Sequence, residues 1–162
     1  MTESEVPFDI DHVDHSVGGF GGHAFRRFTH VAMSIIPILF YTKGDEMGDY
    51  LSISSRQLVS VIVMIILLLE IIRLRWGIVV VGQREYEAKQ ISAFAWGGIA
   101  VALALLIVPE GDGAGIERGI YGIPLIFGLT FVDPVMGEVK RKKKDLNSAI
   151  VAGTIVSFTV WL

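Results

Sequence analysis

Long apolar runs alternate with short polar segments along most of this 162-residue chain. The runs cover about residues 28–41, 58–81, 91–108, 119–132 and 148–162. The first run approaches the roughly 20 residues that cross a bilayer core only when it is extended back through Ala24. This pattern predicts an all-α fold, a polytopic transmembrane helix bundle of about five spans in one domain of residues 25–162. The abrupt end on Trp161 and Leu162 is compatible with a C-terminally truncated bundle.

Composition points the same way. Hydrophobic residues make up 52% of the chain and charged residues 19%, which is more apolar surface than one soluble core needs. The chain contains no cysteine, so disulfides, thiolate metal sites and cysteine nucleophiles are excluded. Residues 1–24 mix Asp, Glu, His and Gly without an apolar period, and we expect them to form an acidic, disordered cytoplasmic tail. The Asp and His residues at positions 9–15 resemble metal ligands, but a tail offers no scaffold to fix their geometry.

Basic residues are distributed unevenly between alternate loops. One side of the predicted bundle carries Arg26, Arg27, Arg73, Arg75, Arg84, Lys89 and the basic run at 140–144, and the other side carries Lys43, Arg56 and Arg118. Because basic residues resist translocation, the first side is predicted to be cytoplasmic. The expected protein is therefore integral to the membrane and multi-pass, with its N-terminus and basic loops in the cytoplasm.

Two ionisable residues, Glu70 and Arg73, lie on an otherwise apolar predicted helix. Charged groups at membrane depth are costly and usually face a polar cavity or a partner, which favours a functional role. The spacing of three places both on one helical face, so the alternative is mutual neutralisation with the arginines extended to the interface. The sequence leaves both interpretations open.

The segment 131–138 joins the fourth apolar run to the basic run. Because Pro134 disfavours a helical conformation at Asp133, and Gly137 allows a close approach, we interpret it as a loop at the membrane surface. Asp133 and Glu138, followed by dense positive charge, could bind a divalent metal and phosphate groups. The alternative is a short connector followed by an ordinary basic membrane anchor.

Two further clusters fall on the same predicted side. Arg26, Arg27 and His30 open the first span, where they could receive phosphates or act only as interfacial anchors. Arg84 and its neighbours Glu85 and Glu87 precede the third span, and a solvated face explains them equally well. The glycine-rich segment 111–115 is predicted to be a flexible turn on the opposite side.

Three groups of residues, taken in chain order, resemble the motifs of CTP-dependent polyprenol kinases, the family of dolichol and phytol kinases. They are Arg26, Arg27 and His30, then Glu70 and Arg73, then Asp133, Pro134 and Gly137. The resemblance covers about residues 24–145. These enzymes are polytopic membrane proteins that phosphorylate long-chain isoprenoid alcohols. Departures are Arg27 where lysine is usual, and Val135 and Met136 where small residues often follow the aspartate.

The resemblance implies a kinase that transfers the γ-phosphate of CTP to a dolichol-type alcohol, with Mg²⁺ as cofactor. Its expected partners are the lipid alcohol, the nucleotide and the bilayer, but no nucleic acid, and an oligomer is left open. The implied catalytic residues are Asp133, His30 and Glu70. The implied phosphate and nucleotide ligands are Arg26, Arg27, Arg73, Arg84, Gly137 and Lys140, and the implied metal ligands are Asp133 and Glu138.

Two rival functions remain. A CTP-dependent cytidylyltransferase would combine CTP, Mg²⁺ and a lipid at the same interface. A non-catalytic membrane protein would use Glu70 and Arg73 only as a structural pair.

Overall fold

The computed structural model describes residues 16–162, and the predicted tail at 1–15 lies outside them. The described residues form six α-helices and no β-strand. The helices are α1 Gly19–Ala32, α2 Ile35–Tyr50, α3 Ser55–Trp76, α4 Ala93–Ile107, α5 Gly122–Lys143 and α6 Leu146–Thr159. Short 3₁₀ helices at Glu85–Lys89 and Gly115–Gly119 lie in the two longer connections. The all-α fold is therefore confirmed.

Helices α1 and α2 form one path across the bundle, with a break at Met33 and Ser34. Pro37 accounts for the break, because its ring cannot fit against the carbonyl of Met33 four residues earlier. The path runs antiparallel to α5. Arg27 of α1 pairs with Glu138, whereas a Cβ on Gly122 at the other end of α5 would collide with the hydroxyl of Tyr41.

Helices α3 and α5, each of 22 residues, are long and apolar enough to cross a membrane. At 1.5 Å per residue each is about 33 Å long, against about 30 Å of hydrocarbon. The apolar helices α4 and α6 are shorter, with 15 and 14 residues. Helix α3 begins at a capping box between Ser54 and Gln57 and ends at Gly77, whose φ of 63° suits glycine.

Side chains of four helices meet in the centre of the bundle. Tyr41 of α2, Val59 of α3, Leu105 of α4 and Ile126 of α5 are buried there. Helix α6 packs mainly on α5, where Gly153 lets the two backbones approach because Met136 fills the space of a Cβ. The bundle has two ends. At the basic end α3 and α5 finish and α4 starts; at the acidic end α3 and α5 start and α4 finishes.

The structure corrects the predicted loop at 131–138. These residues are helical, and α5 continues through Pro134 to Lys143. Proline inside a helix removes one hydrogen bond and bends the chain, but packing of neighbouring helices can offset that cost. Here α6 lies along the same stretch, with Val132 and Met136 against Gly153. Asp133, Gly137 and Glu138 therefore take fixed positions around a helix instead of lying in a loop at the membrane surface.

Three predicted boundaries also change. Helix α1 already begins at Gly19, inside the predicted tail, because Gly22 is buried against the backbone of Val17 and Gly82. The acidic segment 43–50 is the last part of α2 instead of a loop. The second apolar run leaves its helix at Trp76, and residues 78–80 are irregular. The segment 111–114 is a loop as expected.

Candidate functional site

Helix α1 rests on the last turns of α5 at the basic end of the bundle. Arg27 Nη1 donates to Glu138 Oε2 at 2.5 Å, and two turns back along α5 the His30 Nε2 lies 3.2 Å from the carbonyl oxygen of Leu129. The two helices are antiparallel: moving forward along α1 from Arg27 to His30 corresponds to moving backward along α5 from Glu138 to Leu129. Residues of α5 between these two contacts lie beside α1.

Asp133 is one of those residues. It follows Leu129 by four positions, and Gly137 and Lys140 follow it by four and seven, so the helical repeat places all of them on one face of α5. A Cβ on Gly137 would lie 3.8 Å from Arg27 Nη2, which identifies this face as the one beside α1. Asp133 and Gly137 are exposed. The structure therefore brings five of the predicted site residues to one surface: Arg27, His30, Asp133, Gly137 and Lys140.

Glu138 is surrounded by positive charge. Its carboxylate accepts from Arg27 and, within α5, from Arg141 Nη2 at 2.7 Å, and Lys142 Nζ lies at 3.4 Å. About a quarter of the Glu138 side chain, 27%, is exposed. The cluster of Arg27, Glu138, Arg141 and Lys142, called the Glu138 cluster below, joins α1 to the end of α5.

The positive field of this cluster extends to His23 on α1. Burial has the largest effect in lowering the pKa of His23, followed by the charges of Arg27 and Arg141. Arg84 adds to the same effect, and Glu138 opposes it. Three arginines, one each from α1, the loop before α4 and α5, therefore all lower the pKa of the His23 imidazole. His23 was not among the predicted site residues, because only the fold brings the three arginines near it.

A second cluster fixes the connection between α3 and α4. Arg73 donates through Nε and Nη2 to both oxygens of Glu70, and through Nη1 and Nη2 to the carbonyl oxygens of Ile78, Glu87 and Gln90, at 2.7–2.9 Å. These bonds use all five guanidinium donors. Glu70 and Arg73 are 8% and 7% exposed. Arg73 has no donor left for a phosphate, so we assign it a positioning role in place of the predicted phosphate contact.

Glu70 also holds the start of α4. Its carboxylate accepts from the backbone N–H of Ser92 at 2.5 Å and from the Ser92 hydroxyl at 3.1 Å. The same hydroxyl accepts from Ala95 N and so caps α4. The interpretation of Glu70 and Arg73 as a mutually neutralising pair agrees with this geometry, and the pair additionally anchors the loop. These residues and Ser92 are called the Glu70 cluster below.

Glu87 was interpreted as part of a solvated face, but the structure buries it. Its side chain is 2% exposed and accepts from Arg26 Nη1 at 2.5 Å, from Arg84 N at 3.2 Å and from Ala93 N at 3.1 Å. Arg26 is therefore engaged in tying α1 to the loop before α4. Arg84 is partly exposed, and its Nη1 donates to the hydroxyl of Tyr86 at 2.5 Å.

The fit of the predicted magnesium ligands is uneven. Asp133 is an exposed carboxylate on the surface described above and fits a metal shared with nucleotide phosphates. Glu138 does not fit, because its oxygens already accept from three cationic side chains and because five residues of helix turn it away from Asp133. Within residues 16–162, no group of three or more His, Asp or Glu side chains is placed to hold a metal ion.

A cavity of about 200 Å³ opens beside His30, between α1 and the start of α4. Its walls include the apolar side chains of Phe25, Met33, Val81 and Phe94. Polar groups of the same lining come from Arg26, Thr29, His30 and Gln83, so an apolar chain with a polar end suits the cavity. A larger open groove of about 570 Å³ lies on the other side of Arg26.

Comparison with known proteins adds no assignment: no family model, no curated protein and no solved structure matches this chain.

Proposed function

We propose that this chain is a membrane-embedded lipid-alcohol kinase, which transfers the γ-phosphate of CTP to a long-chain isoprenoid alcohol at the cytoplasmic surface. One observation carries the proposal. Residues from separate parts of the sequence, Arg27 and His30 on α1 and the 133–140 face of α5, come together at the basic end of an apolar helix bundle.

Five membrane crossings are the topology that supports this function. Residues 24–41, in α1 and α2, would make the first crossing, and α3, α4, α5 and α6 the others. The exposed residues of α3 include Met64, Ile65, Leu68 and Leu69, as expected for a helix surrounded by lipid tails. The basic run 140–144 would then lie in the cytoplasm.

The proposed reaction needs charge neutralisation and one proton acceptor. The alcohol oxygen attacks the γ-phosphorus, the bond from that phosphorus to the β–γ bridging oxygen breaks, and CDP leaves. The hydroxyl proton passes to the Asp133 carboxylate, while Arg27 and Lys140 contact phosphate oxygens and His30 orients the alcohol. A bound Mg²⁺, held by Asp133 and the nucleotide, would supply further charge neutralisation. The preference for CTP over ATP rests on the family resemblance.

The location of the reaction follows from solubility. A nucleotide triphosphate stays in water, whereas the polyprenyl chain stays in lipid, so the reacting groups meet at the interface. The cavity beside His30 supports the same arrangement, because it could hold the first part of the alcohol next to His30.

The direct test uses the purified chain in nanodiscs of phosphatidylcholine. CTP or ATP labelled at the γ-phosphate is supplied with dolichol, geranylgeraniol or phytol, and labelled lipids are separated by thin-layer chromatography. A labelled lipid monophosphate formed from CTP supports the proposal. A second incubation supplies phosphatidic acid with CTP labelled in the cytosine ring, and a ring-labelled CDP-lipid, formed with release of pyrophosphate, would establish the cytidylyltransferase instead. If neither product forms with any alcohol, the kinase proposal is wrong.

A further inference from the structure

The Glu138 cluster has the composition of an anion-binding site that already holds an anion. Arg27, Arg141 and Lys142 carry three positive charges and surround one carboxylate. Two of the three come from the helix of Glu138 itself and the third comes from α1. A structural ion pair needs only one cation per carboxylate, so Glu138 is contacted by more cationic groups than an ion pair requires.

The geometry of the donors suits a tetrahedral oxyanion. Arg27 reaches one oxygen of Glu138, Lys142 lies near the other, and Arg141 contacts both, through Nη2 at 2.7 Å and through Nε at 3.4 Å. A phosphate group offers three oxygens and nearly two negative charges, and arginine guanidinium groups bind such groups strongly. It would therefore compete well with a single carboxylate for the same donors.

The cluster is also accessible. The side chains of Arg27 and Glu138 are 30% and 27% exposed, and those of Arg141 and Lys142 more than half exposed. Ion pairs with this exposure contribute little to stability, so breaking one costs little. This differs from the Glu70 cluster, in which every donor of Arg73 is used inside the protein.

We propose that Glu138 is an internal occupant of a phosphate-binding site formed by Arg27, Arg141 and Lys142, and that an incoming phosphate group displaces its carboxylate. Glu138 then acts as a competitor for the ligand rather than as a metal ligand. The chemical class of the ligand is a phosphomonoester or a polyphosphate, from a soluble nucleotide or from a lipid headgroup. The choice of a nucleotide phosphate rests on the proposed function.

The field at His23 agrees with this reading. Burial has the largest effect in lowering the pKa of its imidazole, and the charges of Arg27, Arg141 and Arg84 add to that effect while Glu138 opposes it. Arg84 would extend the site toward the loop before α4, where a longer polyphosphate could reach.

The test measures binding of labelled pyrophosphate to the full chain in phosphatidylcholine nanodiscs, by equilibrium dialysis at fixed ionic strength. Glu138→Gln removes the competing charge and keeps the side-chain size, so we expect the association constant to rise roughly three- to tenfold. Glu46→Gln is the matched control: it also removes a charge from an exposed ion pair, with Lys43, but at the acidic end. It should bind as the unmodified protein does.

A second pair of variants keeps the test decisive. Adding Arg27→Gln or Arg141→Gln to Glu138→Gln should reverse the gain, and circular dichroism of each variant establishes that it is folded. If Glu138→Gln binds pyrophosphate no more tightly than Glu46→Gln, or if the gain survives loss of Arg27, the inference is wrong.

The source of the phosphate is identified in a separate arm. Nanodiscs containing phosphatidic acid are compared with pure phosphatidylcholine. Competition by phosphatidic acid against pyrophosphate, stronger in Glu138→Gln, supports a lipid headgroup at this site, and its absence alongside the gain supports a soluble phosphate. Both arms measure binding and neither requires turnover. A negative binding result therefore contradicts this inference without contradicting the kinase proposal, and absence of kinase activity leaves the binding result unaffected.

Discussion

Two charged clusters at the same end of the bundle use similar residues for different purposes. In the Glu70 cluster, every hydrogen-bond donor of the buried Arg73 is bonded to an acceptor within the protein. These bonds fix the connection between α3 and α4. In the Glu138 cluster, three cations share one partly exposed carboxylate. An ion pair on an apolar helix therefore indicates a functional or a structural role only when its exposure and its remaining hydrogen-bond donors are known.

The largest expected effect is on stability, in the Glu70 cluster. Arg73→Leu leaves Glu70 charged, buried and without its main partner, and removes three donors from backbone carbonyls. Loss of one partner of a buried pair costs about 3–5 kcal/mol. Unfolding of the detergent-solubilised protein, followed by circular dichroism, should show this loss. Arg75→Leu, at an exposed position two residues away, is the control and should change stability by less than about 1 kcal/mol.

The next effect is on activity, at the face of α5 beside α1. Asp133→Asn removes the proposed proton acceptor, so turnover of the lipid alcohol should fall about 10²- to 10⁴-fold with the helical content unchanged. Asp49→Asn, an exposed change of the same kind at the acidic end, should retain full activity. Full activity in Asp133→Asn would remove Asp133 from the reaction.

Substitutions at Glu87 test whether loss of a buried ionic partner costs more stability than loss of an exposed one. Glu87→Gln keeps the size of the side chain but leaves Arg26 without its ionic partner, and should cost about 1–3 kcal/mol of stability. The matched change Glu85→Gln affects an exposed carboxylate in the same 3₁₀ helix and should cost almost nothing. Equal effects of the two variants would contradict the buried role of Glu87.

Topology can be mapped because the chain has no cysteine. With a membrane-impermeant maleimide added outside intact cells, Asp112→Cys in the loop at the acidic end should be labelled, and Lys142→Cys should be labelled only after the cells are opened. The opposite pattern would place the Glu138 cluster outside the cell and separate it from cytoplasmic CTP.

The smallest effect concerns pH at the acidic end. A hydrogen bond from Arg118 has the largest effect in lowering the pKa of the exposed Asp45 below its usual value, followed by one from Ser55. The folded protein therefore binds this proton less readily than the unfolded chain. The resulting stability is fully present above the ordinary aspartate pKa of about 3.9 and is lost as the pH falls through the lower, folded pKa. Asp45→Asn should remove this small acid-dependent component from melting curves.

The apolar runs were sufficient to predict helices α3 and α4, because hydrophobic length dominates there. Residues 131–138 were harder. Local rules at Pro134 favour a break, but packing against α6 keeps the segment helical, and sequence alone does not reveal that α6 lies there. The distribution of basic residues did place the candidate site residues of α1 and α5 on the same side of the bundle, where the structure brings Arg27 and Glu138 into contact.

Glu87 and Ser92 illustrate what sequence reasoning missed. Glu87 lies among polar residues in a short connection, which is typical of a solvated segment, and its burial depends on Arg26, 61 residues earlier. Ser92 before α4 does carry a local signal, since serine is a preferred N-cap. Its second role, as donor to Glu70, requires α3 and α4 to be adjacent.

Arg26 and Arg27 are consecutive, yet one binds the loop before α4 and the other binds α5. The second partner lies 111 residues further along the chain. At ribosomal rates of about 5–20 residues per second, roughly 6 to 22 s pass between synthesis of Arg27 and synthesis of Glu138. During biosynthesis α1 therefore waits for Glu138, and the surface that it forms with α5 can be assembled only after α2, α3 and α4 have been synthesised.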